Sequence, residues 1–288
     1  MFGVGIVEIA VMLLLVLAAV AAVMYAVLAT LRRPVADEQV ARGRRHQVVT
    51  SLFAAVAAVA AIPVGAAAGG AFGQSNVLPL LPSVVIAVAC AVLWVGEVTF
   101  PRAGGQVRST VLNARTPATV VPRAWLLVCV ALAILDVAVF VVGAATADDG
   151  HAFSWRDGAV SGSRSPYPGL DYVLPQTVAL ALAGGLAWLV IRSATTRPTI
   201  PTDLDGDLVL RRASAARVLR WTAFGLASTG AGDLLILGLA VQEAPGWRVV
   251  GIIAVVAAAV LAFVALALVL VPVPQPGRLG HDQPAVAR

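Results

Sequence analysis

Lysine is absent from this 288-residue sequence: all 20 of its basic residues are arginine. Without a lysine amine the chain forms no Schiff base to retinal or pyridoxal. Nor can it carry a phosphate loop ending in Gly-Lys-Ser/Thr. Charge of either sign is scarce, at 12% of residues, where soluble domains carry about a quarter. That shortage excludes a soluble enzyme and a disordered chain. Of the two cysteines, Cys90 and Cys129, both lie inside apolar runs at different expected depths, so no disulfide scaffold is expected. The three histidines, His46, His151 and His281, all fall in polar segments. None can form an intramembrane haem pair or a His-Glu-x-x-His zinc site, and no metal or cofactor is expected. The arginines flank apolar runs and are not interleaved with aromatics, so the net charge of +5 implies no nucleic-acid partner.

What the chain has instead is apolar length. Hydrophobic residues make up 60% of it. Seven runs, at about 5–31, 48–71, 78–100, 125–146, 177–195, 222–241 and 249–272, each suffice for the roughly 20 helical residues that cross a hydrocarbon core. Long continuous Ala/Val/Leu runs are the pattern of helices, not of the short alternating strands of an outer-membrane barrel. The first run lacks a basic leading segment, and Arg32-Arg33 follow it directly. It reads as an uncleaved anchor with its N-terminus outside.

Arginine distribution sets the orientation. Segment 32–47 holds five arginines, 101–124 four, 192–220 six and the tail 274–288 two, while the alternate loops hold only Arg156, Arg164 and Arg248. By the positive-inside rule the arginine-rich side faces the cytoplasm. The expectation is an all-α polytopic transmembrane bundle of seven spans in residues 1–273, N-terminus out and C-terminus in. A disordered cytoplasmic tail, 274–288, follows. Its place is the cytoplasmic membrane of a bacterium, with the lipid bilayer as its first partner. Trp125, Trp221 and Trp247 fall at expected span entrances, where an indole anchors at headgroup level.

Segment 202–220 opens with Asp203, Asp205 and Asp207 and closes with Arg211, Arg212, Arg217 and Arg220. Thr202 or Asp203 would cap a helix there. With Leu208, Ala215 and Leu219 on one face, that helix would lie on the inner leaflet. The loops 101–124 and 192–220 are the expected docking surface for a cytoplasmic or membrane protein. The outer loop 147–176 shows no clear internal element, and Ser165-Pro-Tyr-Pro-Gly reads as a turn.

Acids inside the apolar runs carry the chemistry. Asp136 and Asp233 each stand 13 residues after the last arginine before them, Arg123 and Arg220. Both therefore lie roughly 20 Å from the inner boundary, at one depth. Glu97 sits near the inner end of its run, within reach of Arg102, and Glu8 near the outer end of the first. An ionisable group at membrane depth is costly and marks a functional site unless a neighbouring helix satisfies it. Asp136, Asp233 and Glu97 are thus the polar intramembrane candidates, with no residue assigned a catalytic role.

Two resemblances bear on these residues. Gly230-Ala-Gly-Asp233 is similar to the Gly-x-Gly-Asp signature of intramembrane aspartyl proteases, including prepilin peptidases. It would make Asp233 and Asp136 a proton-sharing pair. The match covers four residues, no Pro-Ala-Leu element follows, and the lysine that follows the prepilin-peptidase motif is missing. Val95-Gly-Glu-Val-Thr-Phe-Pro-Arg102 and Leu210-Arg-Arg-Ala-Ser-Ala-Ala-Arg-Val-Leu-Arg220 resemble uncharacterised polytopic membrane proteins of high-GC Gram-positive bacteria, a group that implies no activity. The leading functional expectation is a transport-related or complex-forming membrane subunit. The alternatives are a sensor or scaffold coupling the outer loop to a cytoplasmic partner, and an intramembrane hydrolase using Asp136 and Asp233.

A cysteine placed at Arg115 or Asp205 should react with a membrane-impermeant thiol reagent only after the cell is opened. Labelling of either from outside intact cells would reverse the orientation.

Overall fold

The computed structural model describes residues 37–71, 80–101, 116–158, 160–200 and 203–270. The first apolar run, Arg102, Glu8 and the tail lie outside them. Six long helices account for most of what is described: α1 Glu38–Ala71, α2 Leu81–Val98, α3 Arg123–Thr146, α4 Leu170–Thr196, α5 Leu204–Val241 and α6 Arg248–Leu270. All six are long and apolar enough to cross a membrane, which makes the chain a multi-pass membrane protein by length and composition.

Local sequence explains how these helices begin. The Asp37 carboxylate accepts the Val40 N–H at the start of α1, and Pro82 opens the first turn of α2. Asp203 caps α5 by accepting the Gly206 N–H at 2.8 Å, with Asp205 and Asp207 in the same first turn. Pro63 lies inside α1, which continues to Ala71.

Several arginine-bearing segments meet at one end of the bundle. At one end, the start of α1, the end of α2 and the junction of α4 with α5 are joined by bonds among Gln47, Glu97, Arg197, Leu210 and Ser214. There too Arg212 donates to the Thr119 carbonyl just before α3. Arg220 donates to the Leu268 carbonyl near the end of α6. Its guanidinium also stands 5.8 Å from the Trp125 ring centre, so that indole has a cationic partner.

The other end carries an element the sequence did not announce. Residues 153–157 and 160–164 pair as an antiparallel hairpin, β1 and β2, in the register Phe153 opposite Arg164 and Asp157 opposite Val160. Gly158 takes the positive φ of 58° that its tight turn requires. Tyr167, after a cis Ser165–Pro166 peptide, fastens the hairpin to the bundle. Its ring stacks on Phe153, its hydroxyl meets Thr146 Oγ1 at 2.6 Å, and it packs with Leu237, Val241 and Ala254. Arg164 and Glu243 form an ion pair across the same end.

Helix α5 is the axis of the molecule, packing against all five other long helices. Its 38 residues span roughly 57 Å, nearly twice the thickness of a hydrocarbon core. The expected surface helix at 202–220 is therefore the first half of one continuous rod. Of its expected apolar face, Ala215 and Leu219 are buried against protein and Leu208 is half-buried. Small residues let the neighbours close in. A Cβ on Gly238 would strike the Gly251 carbonyl of α6, and one on Gly225 would strike Ile86 of α2. The outward faces of α3 and α6 expose Leu127, Ile134, Val141, Ile253, Val256 and Phe263, as helices in lipid contact do.

Candidate functional site: two buried polar layers

Between the ends of the molecule, Asp136 of α3 and Asp233 of α5 sit in the interior, 2% and 1% exposed. Their equal spacing from an arginine predicts a common depth, and the structure brings them together. The Asp136 carboxylate lies against the bare Cα of Gly230, where any Cβ would collide with its Oδ1. Gly230 is one helical turn before Asp233 and on the same side of α5. The two carboxyl groups are within electrostatic reach of each other. No hydrogen bond joins them: among the described residues neither Asp136 oxygen has a hydrogen-bond partner. Asp233 accepts the Gln176 Nε2 of α4 at 3.0 Å through one oxygen, while its other oxygen and the buried Thr229 hydroxyl bond to no described residue.

Gly230 thus has a steric reason to be glycine, independent of any protease signature. The layer is an oxygen-lined patch where three helices meet, without a described cation in contact. Buried carboxyl oxygens without donors are expensive. Their chemistry suits uptake of a proton or a hard monovalent cation.

The second layer lies at the arginine-rich end, built around Glu97. Arg102, within reach of this residue in the sequence, lies outside the described residues. The described partners of Glu97 come from the far side of the sequence. Arg197 Nη1 donates to Oε2 at 3.3 Å, Ser214 Oγ to Oε1 at 2.5 Å, and Arg217 Nη2 stands 3.6 Å from Oε1. Gln47 of α1 closes the cluster by donating 2.8 Å bonds to Ser214 Oγ and the Leu210 carbonyl. Beside it, Gly96 meets Thr50 so closely that no side chain would fit, and its carbonyl bonds His46 Nε2 at 2.8 Å.

Arg211 is the most enclosed side chain of this layer. Its Nε donates to Asp207 Oδ2 at 2.8 Å, one turn earlier on α5. Its two terminal nitrogens reach the carbonyls of Ala194, Thr195, Arg197 and Pro198. Ala194 and Thr195 lie in the last turn of α4 and Arg197 and Pro198 just past it, so a single guanidinium caps that helix with a full positive charge at its negative pole. Arg197 is used less completely. It stacks on Phe100 at 3.8 Å and pairs with Glu97, and burial draws its guanidinium below the usual range while the Glu97 charge opposes that.

From Ser214 to Thr229 along α5 is roughly 22 Å. That interval is filled by Val218, Leu219, Ala223, Leu226 and Ala227, with Ile86, Cys90 and Leu93 from α2 and Val190 and Ile191 from α4. The two polar layers are therefore separated by packed hydrocarbon. Both cysteines are free thiols. Of the segments expected to dock a partner, much of 204–220 is turned inward, leaving residues such as Asp205 and Arg212 exposed.

Sequence reasoning found Asp136, Asp233 and Glu97. It missed Arg197, Arg211, Asp207 and Ser214 as interior groups. The available signal was the four-residue spacing of Asp207 and Arg211. Removing Arg211 as alanine leaves Asp207 and four carbonyls without their cation, and should cost about 3–5 kcal/mol. Lysine keeps the charge but not the fork, and should fall between. Thermal unfolding followed by a thiol-reactive dye reads this directly, because Cys90 and Cys129 are buried when folded. An Arg211→Ala protein as stable as the parent would show that this capping role is wrong.

No protein-family model matches the chain, and neither does any curated protein or solved structure.

Proposed function

We propose that this chain is a seven-span protein of a bacterial cytoplasmic membrane, N-terminus out and C-terminus in, and a transport-related subunit. Its working site is the Asp136–Asp233–Gln176 layer, which takes up a proton or a hard monovalent cation. The single observation behind this reading is that Asp136, 2% exposed, is held against Gly230 beside Asp233 with neither oxygen hydrogen-bonded among the described residues. A carboxyl group serving only to fix helix packing would find a hydroxyl or amide donor on a neighbouring helix. Gln176 does this for Asp233, on one oxygen only. The orientation is supported by the convergence of arginine-bearing segments at one end of the bundle, opposite the hairpin.

The apolar layer between the two polar ones gives the mechanism its physical form. An ion at Asp233 does not reach the arginine-rich end through continuous polar contacts, so passage requires α5 to shift relative to α2 and α4.

Reconstitution into liposomes with an internal pH dye, under imposed proton or sodium gradients, tests this reading. Flux should fall about tenfold or more in Asp136→Asn and Asp233→Asn. Flux unchanged in both variants, or absent from the parent protein, would remove the acids from any transport role.

A further inference from the structure

Thr229 belongs to the Asp136–Asp233 layer, and a site for protons alone has no use for it. The residue is 1% exposed, and its hydroxyl bonds to no described residue. Helical threonines elsewhere in the bundle turn their hydroxyls back onto the backbone. Thr50, Thr146, Thr177 and Thr222 each donate to the carbonyl four residues earlier, at 2.7–2.9 Å. Thr229 does not take that bond, although Gly225 stands four residues before it on the same helix. A buried hydroxyl that forgoes both backbone and side-chain partners is costly. Its oxygen is left for a partner of another kind.

The neighbours of Thr229 indicate that partner. Thr229 and Asp233 are four residues apart and so adjacent on one face of α5. Gly230, the next residue, is where the Asp136 carboxylate rests, and Leu261 of α6 closes the same spot. One turn of α5 therefore gathers four oxygens with no hydrogen-bond donor among the described residues: both of Asp136, one of Asp233 and that of Thr229. Nor does any arginine pair with either acid among the described residues, whereas Glu97 has Arg197 and Arg217. Free carboxylate and hydroxyl oxygens together are the donor set of a hard cation. A proton needs one carboxylate oxygen and leaves the hydroxyl idle. Calcium takes roughly 6–8 oxygens, more than this turn offers.

We propose that the layer binds a hard monovalent metal cation, held by Asp136, Asp233 and Thr229, and that the Thr229 hydroxyl is the neutral ligand that sets this site apart from one for protons alone. The assignment rests on the reading of the layer as an uptake site. One metal cation and one proton together cancel the two carboxylate charges, so the loaded layer is neutral among its apolar neighbours.

Sodium is the probe. The full chain, purified in detergent at a fixed pH, is titrated with sodium chloride against choline chloride at matched ionic strength, and thermal unfolding is followed. The parent's unfolding temperature should rise with sodium, and Asp136→Asn or Asp233→Asn should abolish the rise. Thr229→Val keeps the shape and removes the hydroxyl. It should weaken the apparent sodium affinity about tenfold or more, while Thr229→Ser stays within about threefold of the parent. In sodium-free buffer Thr229→Val should unfold at or slightly above the parent's temperature, because no bond is lost. A merely structural hydroxyl would instead lower stability with or without sodium. A sodium response undiminished in Thr229→Val overturns the proposal. So does a parent unmoved by sodium, and proton flux that still depends on the two acids would then leave the layer standing as a proton site. Sodium stabilisation without acid-dependent flux supports the metal site and removes transport.

Discussion

A charged group taken out of water among apolar helices persists only where something else holds it, and every polar feature of this molecule follows from that constraint. The chain has few charges to place, yet α5 carries Asp207, Arg211 and Asp233 into the interior. Near the arginine-rich end the requirement is met from within. Arg211 answers the free carbonyls of α4 and the Asp207 carboxylate together, and Glu97 gathers donors from α5 and the α4–α5 junction. Deeper in the bundle the described residues do not meet it. Asp136 rests on a glycine, with no hydrogen-bond donor among the described residues. Within a single helix, Arg211 has every side-chain nitrogen engaged, while Asp233 has a described partner on one oxygen alone.

Helix α5 is what makes the contrast possible. Its length of roughly 57 Å joins a polar half, capped by Asp203, to an apolar half that crosses the bundle. The polar half ties the α4 terminus, α1 and α2 into one rigid cap. The apolar half contacts its neighbours through small residues, at Gly225, Gly230 and Gly238.

Much of this could be read from residue order. Runs of Ala, Val and Leu marked the spans because backbone hydrogen bonding in lipid leaves the helix as the economical form for such stretches. Equal spacing from Arg123 and Arg220 placed Asp136 and Asp233 at one depth, since a helix advances uniformly per residue. The helix boundary at Arg220-Trp221 was illegible for a related reason. Hydropathy reports where a chain leaves lipid, not where its helix stops, and nothing between Asp207 and Phe224 breaks a helix. The hairpin escaped notice because its strands are five residues each and lack strong alternation. The partners of Glu97 lie about 100 residues away in sequence, and arginine near a span end reads by default as a headgroup contact. Only tertiary packing turns Arg197 and Arg211 inward.

The central claim is that the Asp136–Asp233 layer changes its protonation or ion occupancy while the Arg211 layer does not. Infrared difference spectroscopy on the reconstituted protein, triggered by a pH or sodium jump, addresses it most directly. The account predicts a carboxyl C=O band that shifts with the jump and is lost in Asp136→Asn or Asp233→Asn. A difference spectrum in which neither substitution alters any carboxyl band would contradict it.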